Sequence, residues 1–194
     1  MINWKEKITT LALVKQDLMK QDVEKIWPHH FPEVGASEEY VYALEQELGY
    51  KLDLIYRDFL QHANGWKGIY QTVDLFSIEQ LKKSAIMDHA QMLLTVIDDD
   101  VLKESDVLRQ ELLPIAVAEF DKDLFVLCLS NSRKPGEIIW FAGEEIDRFE
   151  NFEEYFLAMV DYNREEILAL KGNQLKRELN FEIPVYKNSS SKKY

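Results

Sequence analysis

Glu47-Leu48-Gly49-Tyr50-Lys51-Leu52-Asp53-Leu54-Ile55-Tyr56-Arg57-Asp58-Phe59-Leu60-Gln61-His62-Ala63-Asn64-Gly65-Trp66 reads as a helix end, a capped second helix and the start of a sheet. Gly49 stands at a left-handed helix stop, where glycine pays no steric penalty. The helix it ends starts after Ser37, whose hydroxyl can accept a backbone N–H, and Glu38 and Glu39 suit the positive end of the helix dipole. Val41, Leu44 and Leu48 share its apolar face. Asp53 caps the second helix, Ile55, Phe59 and Ala63 form its buried stripe, and Asn64-Gly65 ends it. Trp66 then fixes a large ring where helix gives way to strand. It can plug the core or anchor a partner.

Downstream the texture is that of strands. Ile69 to Val73 is strand-like, and Ser77-Ile78-Glu79-Gln80 is a capping box that opens a short helix. Met92 to Ile97 fits a strand or a helix end equally well. Asp98-Asp99-Asp100 begins a polar excursion through Gln110, a loop with a short helix. Leu112–Ala118, Leu124–Leu129 and Glu137–Phe141 are successive apolar runs with short connections, which predicts antiparallel pairing. Asn151 and Glu154 cap an apolar helix carrying Phe152, Tyr155, Phe156, Met159 and Val160, with a stop expected near Leu170.

Upstream, apolar residues at helical spacing predict one or two helices from Trp4 to about Trp27, broken by Trp27-Pro28-His29-His30-Phe31-Pro32. This divides the chain into an N-terminal helical arm (1–32), an α+β domain (33–172) and a partly disordered tail (173–194). From Lys171 onward six bases face two acids, so the tail is +4 and the rest carries −16 of the net −12.

The 194 residues are 46% hydrophobic, enough for a core without disulfides. The acidity argues against nucleic acid and anionic membranes as partners; it is compatible with a cationic partner and also with solubility alone. One cysteine, the lack of an export signal and the lack of a long apolar run predict a cytoplasmic protein. No motif supports catalysis: G-x-G-x-x-G, the P-loop and G-x-S-x-G do not occur. His29-His30-Glu33 lacks metal-ligand spacing, and Asp98–Asp100 lacks the glycine and terminal glutamate of a calcium loop. Cys128 sits among Val126, Leu127 and Leu129, where a thiol is inert. Neither a cofactor nor a metal is expected.

Glu47-Leu48-Gly49, Leu52, Tyr56-Arg57-Asp58-Phe59-Leu60 and Ala63-Asn64-Gly65-Trp66 together resemble the opening of the SUKH superfamily, the Smi/Knr-like family. Later pieces follow in order: Leu113-Pro114-Ile115-Ala116, Asp123-Leu124-Phe125-Val126-Leu127, Ile138 to Trp140, and Asn151-Phe152-Glu153-Glu154-Tyr155-Phe156-Leu157. The resemblance spans about Ser37 to Val160. Asp53 stands where the family usually has proline, and Lys122-Asp123 where glycine-aspartate is usual.

The resemblance implies an α+β fold, a twisted antiparallel sheet with surrounding helices, and no catalysis. Its bacterial members are commonly immunity proteins that bind and neutralise a toxin, often a nuclease. Eukaryotic relatives suggest the alternative of a scaffold or regulator of cell-wall or signalling assembly. A nuclease is basic where it grips phosphate. The expected docking surface is therefore an acidic rim of Asp74, Asp98, Asp99, Asp100, Asp121, Asp123, Glu144 and Glu145, with Trp66 and Tyr70 as apolar anchors.

Overall fold

The computed structural model describes residues 2–181. Six strands form one antiparallel sheet in chain order: β1 Trp66–Tyr70, β2 Val73–Leu75, β3 Leu112–Ala118, β4 Leu124–Cys128, β5 Ile138–Phe141 and β6 Glu145–Phe149. The helices are α1 Trp4–Gln21, α2 Glu38–Leu48, α3 Leu54–Leu60, α4 Ile78–Leu81, α5 Ala85–Val96, α6 Asp99–Glu104 and α7 Phe152–Phe181. The fold is the expected mixed α+β, with seven helices around the sheet.

The opening helices form as their caps dictate. Ser37 Oγ accepts from the Tyr40 N–H at 3.2 Å, and Gly49 ends α2 at φ 79°. Asp53 Oδ1 accepts from Ile55 and Tyr56 N–H at 2.9 and 3.1 Å. The α3 stripe is Tyr56, Phe59 and Leu60; Ile55 lies at its margin. Gly65 has φ 87°, and a Cβ there would sit 2.6 Å from the Ser77 nitrogen and 2.9 Å from the Leu75 oxygen. Only glycine meets both demands. Asn64 Oδ1 accepts from the Ile78 N–H at 2.9 Å, tying this turn to the capping box of α4.

Several elements differ from the sequence reading. Ile69 to Val73 is a hairpin, not one strand, because Gln71 turns the chain at φ 46°. Met92 to Val96 is the end of α5. β6 is an additional strand, polar because it is a sheet edge. α1 stops at Gln21, where the buried Asp22 carboxylate accepts from the Ile26 and Trp27 N–H groups at 2.8 and 3.1 Å. α7 continues through Gly172 to Phe181. The remainder of the tail lies outside the described residues.

α5 packs on one face of the sheet at β3 and β4, while α7 packs against β1 and β6. α1 and α3 lie against α7. Trp4 of α1 is buried and meets Phe59, Phe152 and Phe156 with ring centroids 5.2, 5.9 and 5.6 Å apart. The helix set apart as an arm thus supplies the centre of an aromatic core. Trp66, Ile115 and Leu127 are buried as expected, and Trp140 packs at the core's edge.

The sheet is strongly curled. β1 and β5 are four strand spacings apart, about 19 Å if the sheet were flat. Yet the Tyr70 and Trp140 rings lie 6.4 Å apart. Register breaks in the β1–β2, β3–β4 and β5–β6 pairs accompany this curl, since bulges increase local twist.

Candidate functional site

The register places three turns at one end of the sheet. Tyr70 pairs with Val73, Val73 with Ala118, Val117 with Leu124, Leu124 with Phe141, and Phe141 with Glu145. The turns at 71–72, 119–123 and 142–144 therefore share what we call the hairpin end. Phe120 at its tip is 88% exposed. Single exposed apolar residues are ordinary on a protein surface, so Phe120 gains meaning only from the rings and carboxylates behind it.

Behind that tip lie three partly exposed rings, Tyr70, Trp140 and Tyr162. Their centroids are 5.5 Å (Tyr70–Tyr162), 6.0 Å (Trp140–Tyr162) and 6.4 Å (Tyr70–Trp140) apart. Phe125 stacks on Trp140 at 5.1 Å and 24°. Carboxylates hold the rim. Trp140 Nε1 donates to Asp123 Oδ1 at 2.8 Å, Tyr162 Oη donates to Asp147 Oδ2 at 2.7 Å, and Gln71 Nε2 donates to Glu166 Oε1 at 2.5 Å. Gln71 Nε2 also donates to Tyr70 Oη at 3.1 Å.

The electrostatics fit uncompensated acid. Among the described residues, the ion pairs leave out Asp121, Asp123, Glu144, Asp147, Glu165 and Glu166. Lys122 is the one cation of the 119–123 turn. Burial raises the Asp123 pKa, and Asp121 adds to the rise against the Trp140 hydrogen bond. Burial, then Glu166 and Asp123, push Tyr70 up to about 12. Tyr162 is raised too, by burial and by its bond to Asp147.

Of the residues expected from sequence, Tyr70, Asp121, Asp123 and Glu144 come together here. The others are buried or engaged within the molecule. Trp66 is 1% exposed and its indole donates to the His30 carbonyl at 2.9 Å, so its ring is a core plug. Asp74 is buried and accepts from the Gly68 N–H at 2.7 Å. Asp98 caps α6 through the Asp100 N–H, while Asp99 pairs with Arg109 and Asp100 with Lys103, both at 2.6 Å. Glu145 lies in β6 and pairs with Arg148 at 2.7 Å. Phe120, Asp147, Tyr162 and Glu166 were missed as site residues. Tyr162 and Glu166 follow four apart on one face of α7, a signal available once the helix is extended past Val160.

Burial pushes the Cys128 thiol up to about 11, which suits a structural cysteine. Among the described residues no group of three or more His, Cys, Asp or Glu is placed to hold a metal ion. No helix among them is long and apolar enough to cross a membrane. Comparison with curated proteins returns no match. Residues 35–158, more than half of the chain, match the SMI1 / KNR4 family (SUKH-1). They run from just before α2, through the whole curled sheet, into the first two turns of α7, and the chain belongs to this family.

Proposed function

We propose that this chain is an immunity protein that binds a cognate bacterial toxin through the hairpin end and neutralises it by occupying a basic surface. Family membership supports a role of this kind. The observation that carries the reading is the set of unpaired carboxylates around three partly exposed rings and an exposed phenylalanine. Exposed aromatics supply apolar anchoring, and uncompensated acid steers a basic partner. A nuclease active surface, basic because it holds phosphate, is the natural target. Binding alone accounts for neutralisation, with no reaction required of this chain.

The test is capture of the partner by co-purification from the native cell, followed by co-expression of this chain with the toxin so identified. Growth should be rescued by the wild type, and the two proteins should co-purify in stoichiometric amounts. Rescue without a complex, or a complex that leaves the toxin active, contradicts the proposal.

A further inference from the structure

The hairpin end has a geometry more specific than negative charge. Three carboxylates of its rim are each fixed by a hydrogen bond from the aromatic cluster or its neighbour. The indole N–H holds Asp123 and the Tyr162 hydroxyl holds Asp147. The Gln71 amide, which also reaches Tyr70 Oη, holds Glu166. Asp147 Oδ1 also accepts from the Arg148 N–H at 2.8 Å. A carboxylate can accept about four hydrogen bonds, so each of the three keeps acceptor capacity beyond these bonds. A donor at the edge of a ring also places its acceptor at that edge. The result is aromatic surface bordered by acceptors.

A planar cation with donors in its own plane matches this arrangement. Guanidinium stacks flat on a ring while its N–H groups point outward to acceptors at the border. An ammonium is a compact, strongly hydrated charge and gains less from an aromatic surface bordered by carboxylates. Resting on the immunity reading above, we infer that the hairpin end takes an arginine side chain of the basic partner, stacked on the Tyr70–Trp140–Tyr162 cluster and held by Asp123, Asp147 and Glu166.

Short capped peptides test this independently of the toxin. Tetra-arginine and tetra-lysine carry the same charge, so simple attraction treats them alike. Titration at low ionic strength, followed by tryptophan fluorescence and calorimetry, should give tetra-arginine an affinity roughly fivefold higher. Trp140→Leu should abolish that preference. Asp147→Asn, which leaves every ring in place, should weaken tetra-arginine more than tetra-lysine. A triple change elsewhere, Asp17→Asn with Glu38→Gln and Glu79→Gln, removes three carboxylates that already face Lys20, Arg57 and Lys82, and should keep the preference. Equal affinity for the two peptides in the wild type overturns the inference. So does a preference that survives both Trp140→Leu and Asp147→Asn. Failure here with toxin rescue intact removes the arginine site alone, while loss of rescue with the preference intact removes the immunity reading alone.

Discussion

The hairpin end and the region around Arg148 are both rich in acid, and they treat it in opposite ways. Arg148 reaches Glu137 at 2.5 Å, Glu145 at 2.7 Å and the Ser105 carbonyl at 2.7 Å. Nearby, Arg133 pairs with Asp106 and Lys134 pairs with Glu137 at 3.0 Å. There the carboxyl pKa values move down: Glu145 through its hydrogen bond with Arg148, Asp106 through Arg133. At the hairpin end Asp123 moves up, since burial outweighs the help its charge receives. The first region spends its charge on holding β6 to the α6 segment and the 129–137 loop. The second leaves its carboxylates outside any ion pair among the described residues, as the proposed docking requires. Counting acidic residues cannot separate the two; the position of the arginines does.

The largest expected effect breaks the first region. Arg148→Met leaves the nearly buried Glu137 with Lys134 alone and should cost about 3 kcal/mol in chemical denaturation at pH 7. The deficit should shrink as pH falls and the carboxylates protonate. An unchanged midpoint at pH 7 would show that the network is decoration.

Lys15 sharpens the comparison with a charge of the other sign. It is buried, its Nζ donates to the Gly68 carbonyl at 2.5 Å, and burial lowers its pKa from 10.5 to about 8. The unfolded chain holds this proton more tightly, so this residue makes stability rise as pH goes from about 8 to 10.5, by at most roughly 3 kcal/mol. Lys15→Met should remove that rise. Parallel wild-type and variant stabilities across the window would contradict the assignment.

Two isosteric substitutions should differ in sign. Glu145 has a lowered pKa, so its contribution is present above the unfolded carboxylate value and lost as pH falls through the folded one. Glu145→Gln should therefore cost about 1–2 kcal/mol at pH 7. Asp123 has a raised pKa, so its charge costs stability once pH exceeds the folded value, and the cost vanishes below the unfolded one. Asp123→Asn keeps an acceptor for Trp140 and should leave stability equal or up to about 1 kcal/mol higher. Thermal melts of both variants at pH 7 and pH 4 decide it. The smallest effect is expected at Asp98, Asp99 and Asp100. Exposed pairs contribute little, so neutralising all three should change stability by less than about 1 kcal/mol and should not slow association.

Much of the fold was legible in the sequence because its signals are local. Ser37, Asp53, Ser77 and Asn151 each cap a helix through a bond to a backbone N–H within three residues. Gly65 fits because of its own φ and its close neighbours. β6 escaped because an edge strand needs only one apolar face, and Glu145 to Arg148 look like loop. The site was partly legible. Tyr70, Asp121, Asp123 and Glu144 lie beside turns, where strand boundaries place them. Trp66 was open to two readings, core plug or anchor, and the bond to the His30 carbonyl goes with the first. Asp74, expected on the rim, is buried with its carboxylate on the Gly68 N–H; the chain makes both contacts only after folding. The pairing of Asp99 with Arg109 and of Glu145 with Arg148 is likewise tertiary. Sequence counts charges, but only the fold says which ones cancel.

The face that the partner covers is the central question. Hydrogen exchange on the purified complex with the cognate toxin, compared with the free protein, locates that face directly. Protection should concentrate at residues 70–73, 119–123, 140–147 and 162–166, with α6 and the 129–137 loop unchanged. Protection confined to α6, the 129–137 loop or the outer face of α1, with the hairpin end exchanging as in the free protein, would contradict it.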